Sequence, residues 1–69
     1  MIVYVYKTSI TKTNLAEITF ILDNLIPNTK WNFDFEDIDN ILRIESQIDI
    51  SQRVISELTA KNYLCEELK

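Results

Sequence analysis

The chain of 69 residues contains no histidine and no glycine, and it has a single cysteine, Cys65, and a single proline, Pro27. Metal centres, nucleophile–base pairs and phosphate-cradling loops are built mostly from histidine, cysteine and glycine, so their shortage removes most compact chemistries at once. One cysteine cannot close an intramolecular disulfide. The apolar start is short, alternates with tyrosine and soon meets Lys7, so it does not read as a signal peptide. A cytoplasmic location without membrane insertion is expected. The net charge of −4, from 11 acidic against 7 basic residues, repels phosphate backbones and anionic headgroups unless the cations are gathered in one patch, and no such patch shows in the sequence.

What is present is the composition of a folded domain. Hydrophobic residues make up 46% of the chain and charged residues 26%, too apolar for disorder, and the aromatic residues supply large pieces for a small core. A single domain over residues 1–69 is expected, since a chain this short has no room for a second core.

Hydrophobic periodicity divides the chain cleanly. Residues 2–6 form an unbroken β-branched and aromatic run, which predicts a strand. From Leu15, the residues Ile18, Leu22 and Leu25 recur at spacings of three and four, widened by Ile21 and Ile26, and this predicts an amphipathic helix that Pro27 ends. Asn14 with Glu17 three positions later forms a capping-box pattern at its start, with Thr11 or Thr13 as the alternative cap. Trp31, Phe33 and Phe35 then alternate with Asn32, Asp34 and Glu36, a period of two. The turn-rich stretch 37–40 leads into Leu42 and Ile44 alternating with Arg43 and Glu45, completing a hairpin. Asp49 with Gln52 opens a second helix whose buried stripe is Ile50, Val54, Ile55 and Leu58, and Asn62 is placed to end it in a left-handed cap. Residues 63–68 leave room for one short strand.

Strand, helix, strand, strand, helix, strand with two right-handed crossovers gives an α+β fold, the ferredoxin-like βαββαβ sandwich: an antiparallel four-stranded sheet with both helices on one face. The Trp31, Phe33, Phe35 side is expected to face the helices. The open face then carries Asn32, Asp34, Glu36, Arg43 and Glu45 and is expected to be polar and predominantly acidic.

In organisation and length the chain resembles the heavy-metal-associated domains of copper chaperones and of metal-transporting ATPases. Those domains carry Met-Thr-Cys-x-x-Cys after the first strand, Leu-Pro-Gly after the first helix and Gly-Tyr before the last strand. Here Ile10-Thr11, Ile26-Pro27 and Asn62-Tyr63 stand in the corresponding places. The frame matches and the ligands do not: the two cysteine positions fall on Lys12 and Leu15, or on Thr11 and Asn14 if the alignment shifts by one residue. Soft Cu(I) is held by thiolate sulfur, and none of these side chains offers one. The resemblance implies a degenerate member that meets a protein partner through the loop formed by Ser9, Ile10, Thr11, Lys12, Thr13 and Asn14, with no cofactor. Lys12 is read as a solvated lysine, and alternatively as a fixed charge that replaces the metal at a docking surface.

The remaining candidates are weighed against plainer roles. Cys65, the weak candidate metal ligand, shares a strand face with Glu67 but not Glu66, so a site there needs ligands from elsewhere; a structural thiol with a raised pKa is the simpler reading. Asp34, Glu36, Asp37 and Asp39 are close in sequence but match no calcium loop, and they read as a solvated turn. Tyr4 and Tyr6 share one face of the first strand and are the only candidates for base stacking on an exposed sheet; packing in the core is the simpler reading. Catalysis is not expected. The expected function is a small protein-interaction module, with residual metal handling through Cys65 or surface carboxylates as the alternative and a nucleic-acid-binding sheet as the third.

Overall fold

The computed structural model describes residues 2–36 and 38–68. Strand β1 spans Ile2–Thr8, a one-turn 3-10 helix Lys12–Asn14, helix α1 Leu15–Leu25, β2 Lys30–Asp34, β3 Ile41–Ser46, α2 Ser51–Ala60 and β4 Cys65–Glu67. The strands form one sheet in the order β2-β3-β1-β4 with every neighbouring pair antiparallel. This is the ferredoxin-like α+β arrangement that the element order predicts.

The core lies between the sheet and the two helices. Tyr4 and Tyr6 of β1, Leu42 and Ile44 of β3 and Cys65 of β4 meet Ile18, Ile21 and Leu22 of α1 and Val54 and Leu58 of α2 in one buried cluster. Trp31, Phe33 and Phe35 point to the same side, as their alternation requires, but they are only partly buried. The reason is position: β2 is an edge strand, and an edge lacks lateral cover from a second neighbour.

A chain without glycine must still turn. Among the described residues the three with positive φ are all asparagines: Asn28 (62°), Asn40 (46°) and Asn62 (70°). Asparagine tolerates the left-handed region better than other side chains that carry a Cβ. Asn28 follows Pro27 out of α1, and Asn40 closes the β2–β3 hairpin. Asn62 ends α2 as expected: its N–H reaches the Thr59 carbonyl (3.0 Å) and the Tyr63 N–H reaches the Leu58 carbonyl (2.9 Å), the two bonds of a Schellman cap.

Helix entry follows the alternative cap, Thr11, rather than a box between Asn14 and Glu17. Asn14 makes no side-chain cap to α1; its Oδ1 turns back and accepts from the Thr11 N–H (3.0 Å) and hydroxyl (3.1 Å), so the capping takes place one turn earlier at the 3-10 helix. Glu17 accepts instead from the Tyr63 hydroxyl, tying α1 to the loop before β4. At α2, Asp49 Oδ1 accepts from the Ser51 N–H (3.0 Å).

Candidate functional site

The loop 9–14 is held from both sides before it reaches solvent. Thr8, buried at the end of β1, donates its hydroxyl to the Asn40 carbonyl (2.7 Å) and accepts from the Ile10 N–H (3.2 Å). Its own N–H bonds the Asp39 carbonyl (3.1 Å). Ser9 is clamped to the opposite side, its N–H on the Leu64 carbonyl (3.2 Å) and its hydroxyl oxygen accepting from the Leu64 N–H (2.9 Å). Ile10 is then driven fully into the core, at 0% exposure. Five hydrogen bonds and a buried isoleucine thus fix where the next residues project.

Of the six expected contact residues, the structure presents three fully. Thr11, Lys12 and Thr13 are exposed on the 3-10 turn. Ile10 is corrected from contact residue to anchor, because a side chain with no accessible surface cannot touch a partner. Asn14 is half-buried and spends its carboxamide oxygen on Thr11, and Ser9, though exposed, is occupied by Leu64. The exposed tip shares a recess of about 300 Å³ with Phe35 and Asn40. Sequence reasoning gave no signal for these two residues, which arrive through the β2–β3 hairpin. Lys12 forms no ion pair among the described residues.

The positions that the expected resemblance sets against a cysteine pair end in different environments. Lys12 is exposed and Leu15 half-buried, and in the shifted alignment Thr11 is exposed and Asn14 half-buried. Neither pair brings a soft donor to the loop.

Cys65 lies elsewhere, on the helix-facing side of β4 opposite Thr8, and is buried. Burial, aided by the charge of Glu67, pushes its thiol up to about 11, so the nucleophilic and metal-binding thiolate is suppressed at neutral pH. Among the described residues no group of three or more Cys, Asp or Glu side chains is placed to hold a metal ion. Asp34 instead faces Arg43 (3.8 Å) and accepts from the Glu36 N–H (3.1 Å), while Asp39 faces Lys7 (3.8 Å). Asp37 lies outside the described residues.

Tyr4 and Tyr6 face the helices, at 8% and 0% exposure, so neither offers a ring to a base on the open face. The Tyr6 hydroxyl donates to Ser51 Oγ (3.0 Å), which donates to Glu67 Oε1 (2.6 Å), and burial pushes the phenol up to about 12. The open face itself differs from the expected acidic surface. The register places Lys7, Lys30 and Arg43 there beside Asp34, Glu45 and Glu66, together with Val3, Val5 and Ile41, so its charges are mixed and balanced. Lys7 and Lys30 stand next to Tyr6 and Trp31 in their strands, so the same period of two that turns those rings to the helices turns the lysines to the open face.

No helix among the described residues is long and apolar enough to cross a membrane. No protein-family model, curated protein or solved structure matches the chain.

Proposed function

We propose that this chain is a non-catalytic protein-interaction module of the cytoplasm that uses the frame of a heavy-metal-associated domain without its metal. The observation that carries this reading is the loop 9–14: Ile10 buried as an anchor, Thr8 and Ser9 bonded to two different neighbouring segments, and Thr11, Lys12 and Thr13 held out to solvent. Such a tip loses little conformational entropy on binding, which favours recognition by a small contact. The partner is a protein with a carboxylate positioned for Lys12. Neither nucleic acid nor a cofactor is part of this reading, because the tyrosine rings are turned inward and the thiol is buried and protonated.

A photo-crosslinking residue placed at position 12 in the cell, with one at Gln52 as a control on an exposed helix surface, tests the proposal. A discrete partner trapped from position 12 but not from position 52, and lost with Thr11→Asp and Thr13→Asp together, is the expected outcome. Equal labelling from both positions would remove loop 9–14 as the contact. Metal handling is separated by a Cu(I) titration against a chromogenic chelator: the expected result is no stoichiometric transfer, and transfer abolished by Cys65→Ser would replace the interaction reading by a metal one.

A further inference from the structure

We infer that this protein forms a homodimer by pairing β2 of one copy with β2 of a second, antiparallel and centred on Asn32. The proposal does not draw on loop 9–14 and concerns the free edge of β2.

β2 has a strand neighbour on one side only, so a row of its backbone N–H and C=O groups faces away from β3. Natural edges are blunted by shortness, charged side chains, proline or a bulge. The charges that β2 carries, Lys30 and Asp34, are of opposite sign and so can pair with those of a second copy. The other edge, β4, is only three residues long. β2 has five residues, no proline, and an unbroken register from Lys30 opposite Glu45 to Asp34 opposite Ile41.

The sequence of this edge complements itself. Read Lys30-Trp31-Asn32-Phe33-Asp34 against a second copy running the other way about Asn32. Lys30 then meets Asp34, Trp31 meets Phe33, Asn32 meets Asn32, and the first two pairs each occur twice. Directly opposed residues of unlike charge and opposed aromatics are the favourable cross-strand pairs, whereas a parallel pairing in register would set lysine against lysine. The faces agree as well: Lys30, Asn32 and Asp34 lie on the open side and Trp31 and Phe33 on the helix side, as a continuous sheet through a two-fold axis requires.

Trp31 and Phe33 turn to the helix side but are only half-buried, leaving ring surface at the edge where the second copy would sit. Within the chain they already stand edge to face at 5.9 Å, and the pairing extends that contact across the seam. Asp34 stands 3.8 Å from Arg43 and accepts the Glu36 N–H, and the pairing brings Lys30 of the second copy as a further cation to the same carboxylate. The chain's net charge of −4 opposes association, but the seam is locally neutral, with one cation and one anion from each copy. A five-residue seam is a small interface, so a reversible dimer in the micromolar range is expected.

The test combines sedimentation across a concentration series with the emission of Trp31, the chain's single tryptophan. The wild type should pass from dimer to monomer on dilution, with Trp31 emission moving to the red. Lys30→Glu and Asp34→Lys should each weaken the dimer about tenfold, since each turns two attractive contacts into repulsive ones. Mixing the two variants in equal amounts should restore the dimer, because the mixed pair again opposes unlike charges at both ends. A short bis-maleimide should link Asn32→Cys to itself in one product, a readout that survives if Asp34→Lys fails to fold. A protein that stays monomeric into the millimolar range, a dimer indifferent to both charge variants, or a mixture no tighter than its components would overturn the proposal.

Discussion

Two strands of this sheet carry aromatic residues at alternate positions on the same face, and they end at different depths. Tyr6, Leu42 and Phe33 lie on one rung across β1, β3 and β2, and Tyr4, Ile44 and Trp31 on the next. Along the first rung, exposure is 0% at Tyr6 and at Leu42, yet Phe33 is only half-buried. Side-chain size and polarity do not explain this order, since the tyrosine with its hydroxyl is deeper than the phenylalanine. Lateral cover explains it: β1 is flanked by β3 and β4, whereas β2 has β3 alone. Periodicity determines which way a side chain points, and strand order determines how much of it is buried.

The largest expected effect follows directly. Tyr6→Ala should cost about 3–5 kcal/mol, as for a fully buried aromatic ring, which is most of the stability of a small domain. Phe33→Ala should cost about half that, near 2 kcal/mol, because only part of its ring leaves water. Urea denaturation of both variants checks the difference. Equal midpoint shifts at low protein concentration would mean that β2 is covered within the monomer after all.

Depth also has a signature in pH. Burial raises the Tyr6 phenol to about 12 and the Cys65 thiol from its ordinary 9 to about 11. Both groups are held neutral in the folded state, so the unfolded chain releases their protons at lower pH than the native one. Stability is therefore intact below about pH 9 and falls as pH rises through the thiol and then the phenol. Thermal melts between pH 8 and pH 12 should show this decline, with the lower part of it removed in Cys65→Ser. Melting temperatures that stay level across this window would show that neither group is buried as described.

Much of the fold was legible because local signals agreed with one another. The alternation at Trp31, Phe33 and Phe35, the three-and-four spacing of α1 and the cap at Asn62 each named an element, and their order left one topology. Asn62 was readable because a helix end in a chain without glycine needs the next best residue for positive φ. What escaped was whatever depends on residues distant in sequence. Ile10 lies in a polar stretch, and its burial follows from the bonds that hold Thr8 and Ser9 before it and turn it into the core cluster. Phe35 and Asn40 reach the loop 9–14 through a hairpin about 25 residues away. The hydrogen bonds from Tyr6 to Ser51 and from Ser51 to Glu67 span 45 and 16 residues, which no window of periodicity contains.

That buried chain of hydroxyls gives a smaller test of the same contrast. Tyr6→Phe keeps the ring and removes one buried hydrogen bond to Ser51, so it should cost about 1 kcal/mol. Trp31→Phe removes a longer, exposed contact from Nε1 to Asp23 (3.4 Å) and part of a half-buried ring, and it should cost less than Phe33→Ala. Tyr6→Phe should also flatten the last part of the alkaline decline. A variant that loses a full 3 kcal/mol instead would show that the hydroxyl, rather than the ring, anchors β1 to α2.

The smallest effect is expected at Asp34, the neighbour of Phe33 that points to the other face. Its carboxylate stands 3.8 Å from Arg43 and accepts the Glu36 N–H, with more than a third of the side chain exposed on each side of the ion pair (45% at Arg43, 37% at Asp34). Exposed pairs at this distance contribute at most about 1 kcal/mol and weaken with salt. Asp34→Ala should therefore lower stability by no more than about 1 kcal/mol at low ionic strength, with the difference shrinking in 1 M salt. Two adjacent residues on one strand would then differ at least twofold in their cost. A loss at Asp34 equal to that at Phe33, and unchanged by salt, would show that the hairpin after β2 depends on this carboxylate more than on the aromatic row behind it.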